Sequence, residues 1–501
     1  MSQLILIFNW NHFMTHAKHF ALNSTSHCGR ALRTCLMWMA LCAVLASCAG
    51  GGADPMKTLK STNKSAATHL DAMARLDGPV PSPAYLAMLE DIVLSTRYLL
   101  PVRKAAFSRL ARSAPDTLDE ILMMTLNRLE PAEFRAWAIE QAGALGRERL
   151  TKAIIRSWAT PLPMLEASEV RPEELALQRL TGGGKVSLSL IDTMLSASPI
   201  TEANLRARCW ELLVTHGEPG QLEVLVSDDD LIGGDSMMLD MRASMRELGV
   251  LPGNREEILW IRELRKPRYQ TYWSNVARAL AQLPDERRKD LKPRHLAVAE
   301  AAHRHRPELL VLSDQQLYEL LDQEIDENGR RYKADFSGWN IEVSERLSDA
   351  RKSLVWGDLA AMLLAREALR SQPFVAHVFD FADRDMVDRT TEFGGIVQLD
   401  PDGRFELLEY QPRARVADDR YLASSKLFKD GYTALYHFHN HAQKYRNERY
   451  AGPHLGDFEY ADETGVNGLV FTFVDEETLN VDFYREDSFV VDLGTITRPE
   501  N

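Results

Sequence analysis

From Tyr85 to about Glu324, apolar residues recur at three- and four-residue spacing between short turns, with no alternating run of any length. That period predicts helices in succession. A short pattern returns within them: Val102-Arg-Lys-Ala-Ala106, Phe134-Arg-Ala-Trp-Ala138, Leu205-Arg-Ala-Arg-Cys209 and Met241-Arg-Ala-Ser-Met245. Its arginines, Arg103, Arg135, Arg206 and Arg242, are separated by 32, 71 and 36 residues. The unit is therefore about 35 residues long, with one degenerate copy for which Glu173-Glu-Leu-Ala-Leu-Gln-Arg-Leu180 is the candidate remnant. Helix pairs repeating at that interval predict an α-solenoid, in which no single pair buries its apolar face alone; an irregular helical bundle is the alternative. The arginines are assigned to packing and hydrogen bonds between helices rather than to chemistry.

Around Ile325-Asp-Glu-Asn-Gly-Arg-Arg331 the chain turns charged, and a helical stretch from Trp356 to Arg370 follows. After Pro373 the spacing reads as strands. Phe374-Val-Ala-His-Val-Phe-Asp-Phe381 is expected to be the first of them, with His377 a structural residue in it. Gly394-Gly-Ile-Val-Gln-Leu399 and Arg404-Phe-Glu-Leu-Leu-Glu-Tyr410 flank Asp400-Pro-Asp-Gly403, a hairpin turn by composition. A polar helical stretch near Tyr421 to Lys429 leads into Ala434-Leu-Tyr-His-Phe-His-Asn-His441, a strand ending in three histidines. His454 to Glu463 reads as helix. Gly468-Leu-Val-Phe-Thr-Phe-Val474 is apolar on both faces, as a central strand is. Leu479, Val481 and Phe483 then alternate with polar residues. The fold class is therefore multidomain: an all-α helical-repeat region at 85–372, then an α/β domain with a mixed β-sheet at 373–501.

The first 47 residues contain Lys18, Arg30 and Arg33 and no acid, followed by the apolar run Cys35 to Ala46. A basic segment, a short apolar run and small residues make the layout of a secretory signal peptide, and about a dozen apolar residues fall short of the roughly 20 that span a bilayer. Leu45-Ala-Ser-Cys48 resembles the bacterial lipobox, which implies cleavage at 1–47 and lipid attachment to Cys48. Ala49 after that cysteine implies sorting to the outer membrane. Residues 48–84, rich in Gly, Ser, Thr, Ala and Pro, are expected to be a flexible tether. Loss of the leader takes the net charge from −13 to −16, which argues against nucleic acid as a partner. Cys209 is then the one remaining thiol, inside a helical pattern, and reads as a small buried apolar residue.

Two features resemble sites without being them. Thr181-Gly-Gly-Gly-Lys-Val-Ser187 lacks the spacing of a phosphate loop and follows a helix, so it is expected to be a helix C-cap and turn. His303-Arg-His305 lies where a helix should end before Pro307, and helical residues two apart point in divergent directions.

The histidine strand is different. Residues two apart in a strand share a face, so His437 and His439 project together, and such a pair can grip a metal ion if a third ligand joins them. His441 shares that face, so a ligand swap with it stays open, though it ranks behind the other two. The letters His439-Asn-His441 also spell HNH, but that nuclease motif is spread over a ββα unit. Glu392-Phe-Gly-Gly395, Tyr436-His-Phe-His439 and Pro453-His-Leu-Gly-Asp-Phe-Glu-Tyr-Ala461 occur in one order, and this resembles the JAB/MPN fold with its JAMM zinc-peptidase motif of Glu, H-x-H and S-x-x-D. The resemblance covers about residues 374–497. It implies Zn2+ held by His437, His439 and Asp457, with Glu392 as general acid/base. His454 stands where the family has the serine that steadies the tetrahedral intermediate, and it can donate a similar hydrogen bond or close the metal site. The repeat pattern resembles the second helix of HEAT-type repeats.

Together these readings predict a bacterial cell-envelope lipoprotein, facing the periplasm. Its C-terminal domain is a zinc-dependent hydrolase of peptide or isopeptide amide bonds, and its repeats present a protein substrate or partner. The alternative is a non-catalytic scaffold with a degenerate JAB/MPN binding module.

Overall fold

The computed structural model describes residues 54–160, 171–183, 186–326, 343–417 and 420–500. The leader and Cys48 lie outside the described residues. The chain forms two compact units, one up to Leu118 and one from Asp119. Among the described residues there are 23 α-helices and one six-stranded sheet, and the sheet lies at the C-terminal end. No helix among the described residues is long and apolar enough to cross a membrane.

Within the first unit, residues 54–76 hold two helices where a tether was expected. Pro55–Leu59 and Ala66–Leu76 are helices, and the small polar residues that suggested a linker act as caps. Ser65 accepts from the Thr68 amide at 3.2 Å, and Ser82 accepts from the Tyr85 amide at 3.3 Å to start helix Pro83–Leu94. Leu59, Ala72 and Met73 are buried, and the Tyr98 hydroxyl donates to the Leu59 carbonyl at 2.8 Å. The composition of the stretch was that of a linker, yet its few apolar residues fall at helical spacing and close a small core.

The four motif arginines share one local role. Arg103, fully buried, donates through Nε at 3.0 Å and Nη2 at 2.7 Å to the Val93 carbonyl near the end of the preceding helix. In the second unit Arg135 donates to the Asn127 carbonyl at 3.3 Å, Arg206 to the Ala197 carbonyl at 3.2 Å and Arg242 to the Val226 carbonyl at 2.7 Å. Carbonyls at a helix end have no partner within their helix, and the guanidinium of a later helix supplies one. The stretch expected to be a degenerate copy lies in helix Pro172–Thr181, which ends on Gly182 with φ of 70°, a left-handed C-cap. Cys209 is fully buried in helix Ala203–His216.

The sheet runs β2-β1-β3-β4-β5-β6, with β1 Gly394–Leu399, β2 Phe405–Tyr410, β3 Tyr436–His441, β4 Gly468–Asp475, β5 Thr478–Arg485 and β6 Phe489–Thr497. Only β3 and β4 are parallel, joined by helix Leu455–Thr464; every other neighbour is antiparallel. Asp400 and Gly403, at φ of 86°, close the β1–β2 turn, with the Gly403 amide on the Asp400 carbonyl at 2.8 Å.

Phe374–Phe381 is not a strand. It lies in helix Gln372–Val387, entered through Pro373, with Phe374, Val375, Val378, Phe379, Phe381, Ala382 and Asp385 buried. Those intervals trace one helical face, and His377 is on the exposed side. Helix Trp356–Ala368 has 12 buried residues among its 13, as expected of a helix apolar on all sides. The Tyr436 hydroxyl of β3 donates to its Ala361 carbonyl at 2.6 Å, and its Arg366 donates to the Leu493 carbonyl of β6 at 3.1 Å. This helix backs the sheet.

Candidate metal centre

β3 sets the site through its register. Gly394 of β1 lies opposite His439 and Ile396 opposite His437, so Glu392, two residues before Gly394, falls beside His441 on the same face. On the other side His437, His439 and His441 lie beside Gly468, Val470 and Thr472 of β4. Gly468 has no side chain for a reason: a β-carbon there would be 2.2 Å from the ring of Tyr484. That ring lies across the strand and meets His439 edge to face at 6.1 Å between centroids.

Helix Leu455–Thr464 begins at the same end of β3, with His454 as its N-cap residue and Asp457 one turn in. The Asp457 carboxylate reaches back to the His454 amide at 2.7 Å, satisfying one of the amide donors that a helix start leaves bare. The same oxygen stands 3.3 Å from His439 Nε2. His439 Nε2 and His441 Nε2 are also 3.3 Å apart, and His441 Nε2 is 3.8 Å from Glu392 Oε1. Two sets of ligand atoms converge: Glu392, His439 and His441, and His441, His454 and Asp457. The His441 and His454 rings stack at 4.4 Å between centroids.

The structure therefore brings together Glu392, His439, Asp457 and His454, and it adds His441 in the place given to His437. His437 lies deeper along the strand and belongs to neither converging set. Its Nδ1 meets the Tyr460 hydroxyl at 2.7 Å, and a β-carbon on Gly431 would come within 2.9 Å of its Nε2. Burial lowers the His437 imidazole to about 4, so it is neutral. The sequence held the signal for His441, since three histidines alternate on one face. What it did not hold was the point along β3 at which the next helix begins.

His441 Nδ1 is 2.7 Å from the Tyr450 carbonyl, which can only accept. Its proton is therefore on Nδ1. Burial first, with His439 and His454 adding to it, lowers the imidazole to about 3, so Nε2 keeps its lone pair and faces His439. Although burial acts to raise it, the Asp457 carboxyl is held well below the usual carboxylate range by His439, then His441 and the His454 amide.

No family model, no curated protein and no solved structure matches this chain. The donor set has to be judged by its own chemistry. Two ligand atoms bound to a tetrahedral zinc at about 2.0–2.1 Å are roughly 3.3–3.4 Å from each other. The two 3.3 Å separations at His439 Nε2 match that edge. Two imidazoles and a carboxylate also leave one tetrahedral position for water or substrate, as catalytic zinc sites do. A backbone carbonyl fixing the far nitrogen of His441 is the usual support of a ligating histidine.

Proposed function

We propose that the sheet carries a zinc-dependent hydrolase of peptide or isopeptide amide bonds, of the JAMM kind, with His439, His441 and Asp457 as the metal ligands and Glu392 as the proton carrier. The observation that carries this reading is that His439 Nε2 stands 3.3 Å from both His441 Nε2 and an Asp457 carboxylate oxygen, with the Glu392 carboxylate 3.8 Å from His441 Nε2. A zinc ion held by His439, His441 and Asp457 would lower the pKa of a coordinated water toward about 7 and polarise an amide carbonyl. Glu392 accepts one proton from the attacking water and returns it to the nitrogen as the amide C–N bond breaks. Asp457 fixes the start of its helix and keeps its negative charge toward His439. His454 presents its ring beside His441, at the place of the motif serine, where an imidazole N–H donates to the oxygen that gains charge in the transition state.

Metal analysis of the mature protein tests this. The wild type should purify with about one zinc per chain, and His439→Ala with His441→Ala should carry none, whereas His437→Ala should keep it. Equal zinc in wild type and the double variant would sink the reading.

A second reading follows from His454. Its ligand atom converges with those of His441 and Asp457. With His439 it makes four protein ligands, the closed set of a structural zinc site. The domain is then a binding module, and Glu392→Gln leaves its function unchanged. The same change in a hydrolase keeps the metal and abolishes turnover.

Cys48 anchors the mature chain by lipid in the outer membrane of a bacterial envelope, and the helical repeats, HEAT-like by their recurring arginine, dock a protein substrate or partner. Cys48→Ser should move the protein from the membrane to the soluble fraction.

A further inference from the structure

The segment after β3 folds back under the site through two amides. The Asn447 amide donates to the Phe473 carbonyl of β4 at 2.8 Å, which anchors the segment. The Asn447 side chain is buried, and its Nδ2 reaches both the His441 carbonyl at 3.1 Å and Gln443 Oε1 at 2.7 Å. Gln443 Nε2 lies 3.0 Å from Glu392 Oε1.

The donors and acceptors in this chain follow from one group. A main-chain carbonyl only accepts, so the Asn447 atom facing the His441 carbonyl must be its NH2. The Gln443 atom facing that NH2 must then be its carbonyl oxygen. The other end of the Gln443 amide is therefore an NH2, which can only donate, and Glu392 Oε1 accepts from it. This oxygen is also the one 3.8 Å from His441 Nε2.

We infer that Gln443, oriented by Asn447, is a positioning residue for Glu392: it turns the carboxylate toward the metal ligands and holds the facing oxygen as a proton acceptor. The inference rests on the zinc-hydrolase reading and extends it to a residue outside the ligand set. Because β3 supplies both His441 and the carbonyl that orients Asn447, the strand that places a ligand also sets the donor direction of the relay.

Acetohydroxamate tests it without a natural substrate, because this small chelator binds catalytic zinc as its anion and needs a neighbouring base to take its hydroxyl proton. Its affinity for the zinc-loaded full chain is measured by titration calorimetry for wild type, Gln443→Leu, Glu392→Gln and the double variant, with zinc content and melting temperature recorded for each. Gln443→Leu should weaken the chelator about tenfold at unchanged zinc content, a loss of the size expected for one hydrogen bond to a charged group. The double variant should bind no worse than Glu392→Gln alone, since the relay acts through Glu392. Gln443→Glu, nearly isosteric, should weaken binding at least as much by setting a second carboxylate against the first, which separates the effect from lost packing. Wild-type affinity in Gln443→Leu, or losses that simply add in the double variant, would overturn the relay while leaving the zinc reading intact. A wild-type protein that takes up no zinc would overturn both.

Discussion

Nε2 of His439 and Nε2 of His441 stand 3.3 Å apart on one face of β3, with the proton of His441 held on its other nitrogen by the Tyr450 carbonyl. His441 Nε2 is therefore a bare acceptor, open to a ring proton of His439 or, in the proposed reading, to a metal ion shared with it. His437, two residues earlier on the same face, faces Tyr460 instead. The histidines therefore separate by experiment. His437→Phe should leave zinc content unchanged and remove the partner of a partly buried tyrosine hydroxyl, which costs about 0.5–1.5 kcal/mol in urea unfolding. Loss of zinc on that change would place the metal deeper than the converging atoms do.

Asp457 has two tasks that substitution can divide. An amide oxygen can still accept from the His454 N–H, but it brings no charge to His439. Asp457→Asn should therefore keep most of the stability and lose metal affinity, whereas Asp457→Ala should lose both, with a further helix-start cost of about 0.5–2 kcal/mol. Thermal melts of the metal-free forms, set beside zinc competition against a chromophoric chelator, read the two effects apart.

Much of this was legible in the sequence, and the failures have physical causes. The arginine pattern was readable because one chemical task, bonding a carbonyl near the end of an earlier helical segment, recurs at Arg103, Arg135, Arg206 and Arg242. The Asp400–Gly403 turn was readable because its residues match its geometry. Phe374–Phe381 was misread because a short apolar run with few polar residues fits both periods, and the buried set extends to Asp385, beyond the stretch that looked like a strand. Residues 54–76 were misread because capping serines and linker serines are the same residues until tertiary packing distinguishes them. The pair His439 and His441 was half visible. Alternation set the face, but moving the H-x-H by one step depends on where helix Leu455–Thr464 docks, a tertiary fact.

Asp358 has a fully buried side chain at the start of helix Trp356–Ala368, gripped by Arg485 through Nε at 2.9 Å and Nη2 at 3.1 Å, with Arg294 at 3.5 Å. Removing one partner of a buried ion pair strands the other, which costs about 3–5 kcal/mol. Asp358→Ala should lower stability by that amount, while Asp358→Ala with Arg485→Met should recover part of it. A full, additive loss in the double variant would show that the pair does not act as a unit.

Glu257 predicts a dependence on pH that runs against the usual acid denaturation. It is buried at the start of helix Arg255–Leu264, where it accepts from the Gly253 amide. Burial pushes its carboxyl up to about 7 from 4.5, against the pull of the Gly253 amide, with Glu486 raising it and Lys292 and Arg294 lowering it. The folded chain thus holds this proton more tightly than the unfolded chain. The stability it contributes is complete below about 4.5 and is lost as pH rises through about 7. The full effect is about 3 kcal/mol. Glu257→Gln keeps a neutral side chain at every pH, so its stability relative to wild type should rise between pH 5 and pH 8 by roughly that amount. Urea unfolding of both proteins across that range measures it, and a difference that stays flat with pH would show that Glu257 is ionised in the folded state throughout.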